Sequence, residues 1–254
     1  MNGTEGFGQV LDVIGRRSST RVFTGRDVSD EQRRAVLDAL ARAPSAGAMM
    51  LYSVIDIREQ ATLDRLAVLC DNQPFVAKAP WALVFVADWC KWLDMYERAG
   101  CFEGAGVAAR RAPGMGDLLL ACEDAMAAAQ TAVIAAEAVG LGSCYIGDIL
   151  ENAEDVSRLL DLPEHTLPLS MLVVGEPASN RPPTPHATEN LVMPERYRRA
   201  SPEVLDRQLV EQAGTARQAV PGDRVRALFR RKHTAAFMEE MNRSAEEWVR
   251  RWKG

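Results

Sequence analysis

The sequence is poor in residues that build disulfide frameworks and metal sites. Its 254 residues include five cysteines and three histidines. The cysteines are odd in number, lie far apart and form no Cys-x-x-Cys pair, so neither a disulfide framework nor a zinc site is predicted. A Gly-x-Ser-x-Gly motif and a Cys and His pairing, which would indicate a covalent nucleophile, are also missing. A bound organic cofactor that carries the chemistry is therefore an attractive hypothesis.

Long apolar runs and excess positive charge are missing as well. The longest apolar run, residues 79–87, is about half the length that a membrane-spanning helix needs. The N-terminal stretch carries its positive charge after the apolar residues, unlike a signal peptide. A net charge of -5, with 47% hydrophobic and 26% charged residues, is ordinary for a folded soluble protein and argues against nucleic acid as a partner. We expect a cytoplasmic protein that binds neither nucleic acid nor membranes.

The apolar pattern predicts helices interleaved with a few buried strands. Ser29 and Gln32 have the spacing of a capping box, which predicts a helix over 30–43. An alanine-rich helix over 116–139 is expected to be buried on most sides, because a helix that is apolar all round is otherwise unstable in water. Further predicted elements are strands at 51–57, 81–88 and 167–177, a strand or turn at 143–148, and helices near 63–70 and 151–160.

Nothing in the sequence resembles a linker between two cores, so residues 1–254 are predicted to form one domain. The few buried strands indicate one sheet flanked by helices, an α+β or α/β sandwich. Residues 202–254 are predicted to be a helical C-terminal extension of two helices. Its expected inward-facing residues are Phe229, Phe237, Met241 and Trp248.

Two short stretches are candidates for phosphate binding. The segment "GAGVAA" at 104–109 has the Gly-x-Gly-x-x-Ala spacing, but no buried strand precedes it, so a loop is the better interpretation. The segment "RRSSTRVF" at 16–23 crowds arginines and hydroxyl side chains together. Arg17, Ser19 and Arg21 alternate, and in an extended chain they face one way, as a phosphate requires. From spacing alone, a solvated surface turn remains the alternative.

Four segments, in this order, resemble the FMN-dependent nitroreductase family. They are "RSSTRVF" (17–23), "ARAPSAGAMM" (41–50), "NQPFVAKAPWALVFVAD" (72–88) and "AAQTAVIAAEAVGLGSCYIGDI" (128–149), followed by the weaker "LPEHTLPLSMLVVGEPA". Within the family the chain is similar to the oxygen-insensitive NADPH nitroreductase and NADPH-flavin reductase subgroup. The resemblance implies an α+β sandwich with a mainly antiparallel sheet. It also implies a homodimer with FMN at each subunit interface and a C-terminal arm that wraps over the partner.

The resemblance also implies a set of cofactor-binding residues. Arg17 and Ser19, with Ser18 and Thr20 beside them, match the place where the family holds the FMN phosphate. Arg21 matches a basic residue at the ribityl chain and the N1/O2 edge of the ring. The other matching positions are Ser45, Gln73, Tyr145, Ile146, Gly147 and Asp148. Asp148 stands where the subgroup usually has a second glycine.

Residue chemistry supports several of these roles. A cation at the N1/O2 edge stabilises the negative charge of reduced flavin, which Arg21 would do. Gln73 both donates and accepts, as the amide-like pyrimidine edge requires. Gly147 has no side chain and lets backbone approach a flat ring closely. A surface amide and a glycine turn remain the alternatives for Gln73 and for "GLGSCYIG".

The chain departs from the subgroup in its phosphate site. Thr184, Pro185 and His186 replace the usual Lys-Pro-Arg, so FMN binds more weakly or Arg181 takes over. The basic loop for the NADPH 2'-phosphate is shortened and leaves Arg217 as the obvious candidate, so the sequence does not choose between NADH and NADPH.

The predicted activity is hydride transfer from NAD(P)H through FMN to nitroaromatic, quinone or flavin acceptors by a ping-pong mechanism. The chemistry would take place on FMN N5, with no catalytic side chain. The alternatives are a non-catalytic or weakly flavin-binding protein of the same fold, and a reductase of activated carbon-carbon double bonds.

Overall fold

A computed structural model describes residues 5–103, 111–179, 191–213 and 220–254. The chain divides into two compact units. The first contains residues 1–183 and 240–254, and the second contains residues 184–239. The single domain with a helical extension over 202–254 stays a prediction, but the last fifteen residues group with the sheet-bearing unit.

The first unit is built on a four-stranded sheet in the order β1-β2-β4-β3. The strands are β1 (Tyr52–Ile57), β2 (Trp81–Asp88), β3 (Gly142–Ile146) and β4 (Thr166–Gly175). Every neighbouring pair is antiparallel. The predicted mainly antiparallel sheet is therefore confirmed, and the segment at 143–148 is a strand followed by a turn.

Helices flank this sheet. Those before β4 are α1 (Glu5–Arg16), α2 (Asp30–Leu40), α3 (Gln60–Leu69), α4 (Pro74–Ala77), α5 (Cys90–Arg98), α6 (Met115–Ala138) and α7 (Ala153–Leu159). Three α-helices follow β4 in the described residues. Helices α8 (Pro202–Ala213) and α9 (Asp223–Leu228) belong to the second unit, and α10 (Ala236–Lys253) ends in the first. Single 3-10 turns cover Ala46–Ala48 and Gly147–Leu150.

Both faces of the sheet are buried, which makes the unit an α+β sandwich. Along β2, Ala82, Val84 and Val86 pack into one core with α3, whereas Trp81, Leu83 and Phe85 pack into a second core with α2 and α6. The alternation follows from the two-residue period of a strand. A strand buried on both faces reads as one continuous apolar run, which is why β2 was predictable from sequence.

Two predicted helices are shorter in the structure. The capping box at Ser29 is present, but α2 ends at Leu40 rather than at residue 43. Pro44 disfavours helical geometry in the residue before it, so the last residues form turns. Helix α7 begins at Ala153 because Asn152 takes the left-handed conformation, with φ 52 and ψ 48.

Helix α6 confirms the predicted long alanine-rich helix, but it is not buried on most sides of the single chain. One face, which includes Ala125, Ala128 and Ala132, is fully buried against the second core and the sheet. Leu119 and Leu120 on another face are 60% and 43% exposed. The helix is long and apolar enough to cross a membrane by length and composition. Its buried alanine face identifies it here as a core helix, because a core helix passes the same test.

The C-terminal half of α10 packs into the first unit through two tryptophans. Trp248 and Trp252 are fully buried. The Trp248 indole N–H donates to the Leu150 carbonyl at 3.0 Å, and the Trp252 indole N–H donates to the Gly114 carbonyl at 3.1 Å. The helix is thus bonded to the turn after β3 and to the residue that precedes α6. The predicted inward position of Trp248 is confirmed.

The rest of the C-terminal prediction is partly wrong. The described part of residues 202–254 contains three α-helices rather than two. Phe229, predicted to face inward, is 53% exposed. It begins a π-helical turn, Phe229–His233, that contains three consecutive basic residues. The neighbours of Phe229 in this turn are charged, so they form no apolar face together with which Phe229 could be buried.

Stability at acidic pH is expected to depend on Glu240. Its carboxylate accepts hydrogen bonds from Arg243, Ser244 and the Asn152 amide, and mainly the Arg243 bond lowers its pKa to about 2. A lowered pKa in the folded state stabilises the fold above the ordinary carboxyl pKa, and this contribution is lost as pH falls towards 2. Urea unfolding at a series of pH values should therefore show a steeper acid loss for the natural chain than for Glu240→Gln. Equal slopes would contradict this assignment.

Candidate functional site

Residues 17–24 run beside β3 and the residues that directly follow β4. Ser19 forms an isolated parallel bridge with Ser143 of β3, and the Thr20 amide donates to the Ser143 carbonyl at 2.9 Å. Further along, the Ala178 amide donates to the Val22 carbonyl at 3.0 Å. These backbone bonds hold the segment extended, as its alternating pattern requires.

Thr20 and Gly142 fix the depth at which this segment docks. The Thr20 side chain is buried against β3 at Gly142. A Cβ built on Gly142 would lie only 2.8 Å from the Thr20 Cβ, a distance that forces a shift. The buried Thr20 is thus a packing residue, and its predicted contact to a ligand stays a prediction.

The Gly142→Ala substitution is expected to displace residues 18–21 and to destabilise the fold by about 1–3 kcal/mol, the usual cost of overpacking. Thermal unfolding and ligand uptake measure the two effects. Replacing Thr20 by glycine in the same chain removes the clashing side chain and should restore part of the ligand uptake. Gly147→Ala is the matched control for folding, since a Cβ there meets nothing within 4 Å.

A small pocket opens beside this segment. It has a volume of about 140 Å³ and is lined by Ser18, Ser19, Thr20, Arg21, Val22 and Ser179. Pockets that enclose a whole drug-sized ligand measure about 300–1,000 Å³. This one therefore suits one polar end of a larger ligand. Ser179 was not predicted, because it follows β4 and carries no motif of its own.

The three arginines of the segment have different environments. Arg16 is bonded to the end of α6, through Glu137 Oε1 at 3.3 Å and the Glu137 carbonyl at 3.2 Å. A cation is favourable at a helix C-terminus. Within the described parts of the chain, Arg17 and Arg21 form no ion pair with a carboxylate. The Arg21 guanidinium, which lines the pocket, and that of Arg17, in the residue before the pocket-lining segment, are thus free to bind an anion.

Arg21 joins this segment to helix α4. Its guanidinium lies over the Phe75 ring, 5.9 Å from the centroid. The Arg21 charge and the Ser19 side chain both act to lower the pKa of the Cys144 thiol. Burial nevertheless raises the pKa of Cys144. Phe75 and Cys144 were not predicted, since neither an apolar ring nor a buried thiol is distinguishable in sequence from core.

Gln73 and Asp148 lie together although 75 positions separate them. The Gln73 side-chain amide donates to the Asp148 carboxylate at 2.6 Å and to the Cys70 carbonyl at 2.9 Å. Burial raises the pKa of the Cys70 thiol, and the nearby Asp148 charge adds to that shift. Two residues that the resemblance assigned to one site are thus in direct contact.

The turn after β3 presents backbone rather than side chains. Ile146 is buried in the core, whereas Gly147 is exposed and a Cβ there meets nothing within 4 Å. The Tyr145 hydroxyl donates to Gln130 at 3.3 Å. Burial raises the pKa of Tyr145 to about 12, and the nearby Arg17 acts against that shift. Because the Ile146 side chain is buried, Ile146 can reach a ligand only through its main chain.

Ser45 is not linked to these residues by any bond in the described structure. Its hydroxyl accepts from the Met50 amide at 2.9 Å and so closes its own loop. The buried Asp124 carboxylate holds the same loop through the amides of Ala46 and Leu51, at 2.7 and 3.0 Å. A ligand role for Ser45 stays a prediction.

Several predicted features lie outside the described residues. They are the "GAGVAA" segment at 104–109, Arg181, the Thr184, Pro185 and His186 replacement, and Arg217. Within the described residues, no group of three or more His, Cys, Asp or Glu side chains is placed to hold a metal ion.

Comparison with known proteins identifies the family of this chain. The sequence profile of the Nitroreductase family matches residues 14–176. The chain is 31% identical over 249 residues to the oxygen-insensitive NADPH nitroreductase of Salmonella typhimurium, covering 95% of this chain and 98% of that one. It is 29% identical over 186 residues to the NADPH-flavin oxidoreductase of Vibrio harveyi, covering 73% and 72% of the two chains.

The fold also agrees with solved structures. B. megaterium NfrA1 superposes with a TM-score of 0.81 at 26% identity, covering 96% of this chain and 98% of that one. The profile match spans the extended segment, the whole sheet and the turn that carries Gly147. The chain therefore belongs to the Nitroreductase family, as the ordered segments predicted.

Proposed function

We propose that this nitroreductase-family chain is an NAD(P)H-dependent FMN oxidoreductase that reduces nitroaromatic, quinone or flavin acceptors by a ping-pong mechanism. The observation that carries the proposal is the meeting of three distant segments at one place. Arg21 contacts Phe75 in α4, and Gln73, the residue directly before α4, contacts Asp148 after β3. Relatives named FMN reductase and NADPH nitroreductase support the cofactor and the enzyme class.

The residues present fit FMN. The pocket of about 140 Å³ is lined by Ser18, Ser19 and Arg21, and Arg17 directly precedes this segment. Neither arginine has a carboxylate partner in the described structure, so hydroxyls and cations together suit a phosphate monoester. Both amide hydrogens of Gln73 are engaged by Cys70 and Asp148, so its amide oxygen accepts from an N–H of an amide-like heterocycle, rather than donating and accepting as predicted. The open backbone at Gly147 suits a flat ring. No single position decides the fit. Together, the residues offer an anion site for the phosphate, a polar group for the edge of the ring and exposed backbone for its flat face.

When bound, FMN would accept a hydride from NAD(P)H and pass reducing equivalents to the acceptor. The side chains then have binding and electrostatic roles. Arg17 and Ser19 would hold the phosphate, and Arg21 would supply positive charge where the reduced ring becomes negative. Gln73 and the Gly147 backbone would fix the ring.

We further propose a cytoplasmic homodimer in which the two subunits share the FMN sites and the C-terminal arm wraps over the partner. Exposed apolar residues on α1 and α6, such as Leu11 at 63% and Leu119 at 60%, support an interface on these helices. Sedimentation at micromolar concentration tests the dimer, and a monomeric holoprotein would overturn it.

Turnover separates the enzyme from a non-catalytic flavin-binding protein of the same fold. Purified protein with NAD(P)H and a quinone or nitroaromatic acceptor should oxidise the nicotinamide, with parallel lines in double-reciprocal plots. Retained FMN without turnover would favour the non-catalytic alternative. Intersecting lines would overturn the ping-pong mechanism, and a panel that includes activated alkenes would identify an enone reductase.

A further inference from the structure

The Gln73 side chain has both of its amide hydrogens engaged by the protein. One N–H donates to the Asp148 carboxylate at 2.6 Å and the other to the Cys70 carbonyl at 2.9 Å. Both partners are acceptors only, so the amide nitrogen, and not the oxygen, has to face them. No donor in the described structure bonds the amide oxygen of Gln73. The side chain therefore offers an incoming ligand an acceptor.

The backbone around Gln73 is fixed independently. Its own amide donates to the Ala67 carbonyl at 2.8 Å, and its carbonyl accepts from the Val76 amide at 3.0 Å. With the backbone fixed, only the side-chain amide of Gln73 can still change its orientation. The Cys70 carbonyl engages only one of its two N–H groups. The Asp148 carboxylate adds the second acceptor and makes the charge-assisted bond, which is the stronger of the two types.

We propose that Asp148 is a positioning residue that holds the Gln73 amide with its oxygen towards the ligand, so that the site selects the single ring N–H of an oxidised flavin. This inference rests on the proposed function. The isoalloxazine ring in its oxidised form has one ring N–H, at the imide N3 of its pyrimidine end. An acceptor-only amide complements that group, whereas a flipped amide would oppose it with another donor.

The experiment compares FMN with N3-methyl-FMN, in which the imide N–H is replaced by a methyl group. Dissociation constants are measured by flavin fluorescence for the natural chain, Asp148→Asn, Gln73→Ala and the double variant. The natural chain should bind FMN tighter than the methylated flavin by about tenfold or more, as expected for one lost hydrogen bond. Asp148→Asn should reduce that ratio several-fold, because an asparagine accommodates either orientation of the Gln73 amide.

The double variant tests whether Asp148 acts through Gln73. In the Gln73→Ala background, Asp148→Asn should leave the ratio unchanged, as two residues that act through one interaction are non-additive. Asp71→Asn is the matched control, since Asp71 is an exposed carboxylate two positions before Gln73. It should keep the discrimination of the natural chain. Asp148→Gly is measured in parallel, with circular dichroism to verify folding, and should lose discrimination like Asp148→Asn.

Each other outcome overturns a definite statement. Full discrimination in both Asp148 variants, additive effects in the double variant, or equal binding of the two flavins by the natural chain overturns the role of Asp148 alone. A natural chain that takes up neither flavin overturns the proposed function instead.

Discussion

Replacing both Arg17 and Arg21 by alanine is expected to yield a folded protein that loses FMN during purification. Each charge-assisted hydrogen bond contributes about 1.5–3 kcal/mol, so losing two weakens binding by about 10²- to 10⁴-fold. Neither guanidinium forms an ion pair with a carboxylate in the described residues, so the substitutions leave no buried acid unpaired. Folding should therefore be nearly unaffected, while the flavin site is lost.

The control is Arg34→Ala, because the Arg34 side chain is 85% exposed and pairs with Asp38 at 4.0 Å. It removes the same charge from a helix surface and should keep FMN. Fluorescence titration gives the affinities, and stopped-flow reduction of the single Arg21→Ala variant, reloaded with FMN, should be slower than that of the natural chain. An unchanged FMN affinity in the double variant would show that neither arginine binds the cofactor.

Trp248→Ala is expected to cost about 3–5 kcal/mol of unfolding free energy, the usual range for deleting a large buried aromatic side chain. Trp248 is fully buried, and its indole N–H bonds the Leu150 carbonyl at the end of the turn Gly147–Leu150. The loss thus affects the core and the backbone that presents Gly147. FMN affinity should fall together with stability.

Trp248→Phe separates these two effects. It keeps a ring in the core but loses the hydrogen bond to Leu150, so the expected loss is smaller. Arg250→Ala on the exposed side of α10, where Arg250 pairs with Glu247, should stay within about 0.5 kcal/mol of the natural chain. Denaturant unfolding measures all three. A loss below about 1 kcal/mol for Trp248→Ala would show that α10 contributes little to the core.

Elements with a strong local signal were predictable from the sequence. Strand β2 is a continuous apolar run, and α2 begins at a capping box whose bonds are both present. Helix α1 was not predicted. It contains three glycines, which weaken helix propensity, and much of its apolar face is exposed in the single chain, with Val10 at 54% and Ile14 at 48%.

The candidate site was predictable only through the family resemblance. Spacing alone left Arg17 and Arg21 open between a phosphate site and a solvated turn. The pairing of Gln73 with Asp148 depends on how α3, α4 and the end of β3 meet, which no local pattern contains. Phe75, Ser179 and Gly142 were missed for the same reason, since each has its role only through a residue distant in sequence.

The central claim is that the extended segment at 17–21, the turn at Gln73 and the turn at Gly147 together hold one FMN. The most direct test is the absorption spectrum of the purified protein, recorded anaerobically before and after addition of NADPH. The account predicts a yellow protein with a flavin spectrum, close to one FMN per chain, that bleaches on addition of NADPH or NADH. A colourless protein that takes up no FMN when it is supplied would contradict it.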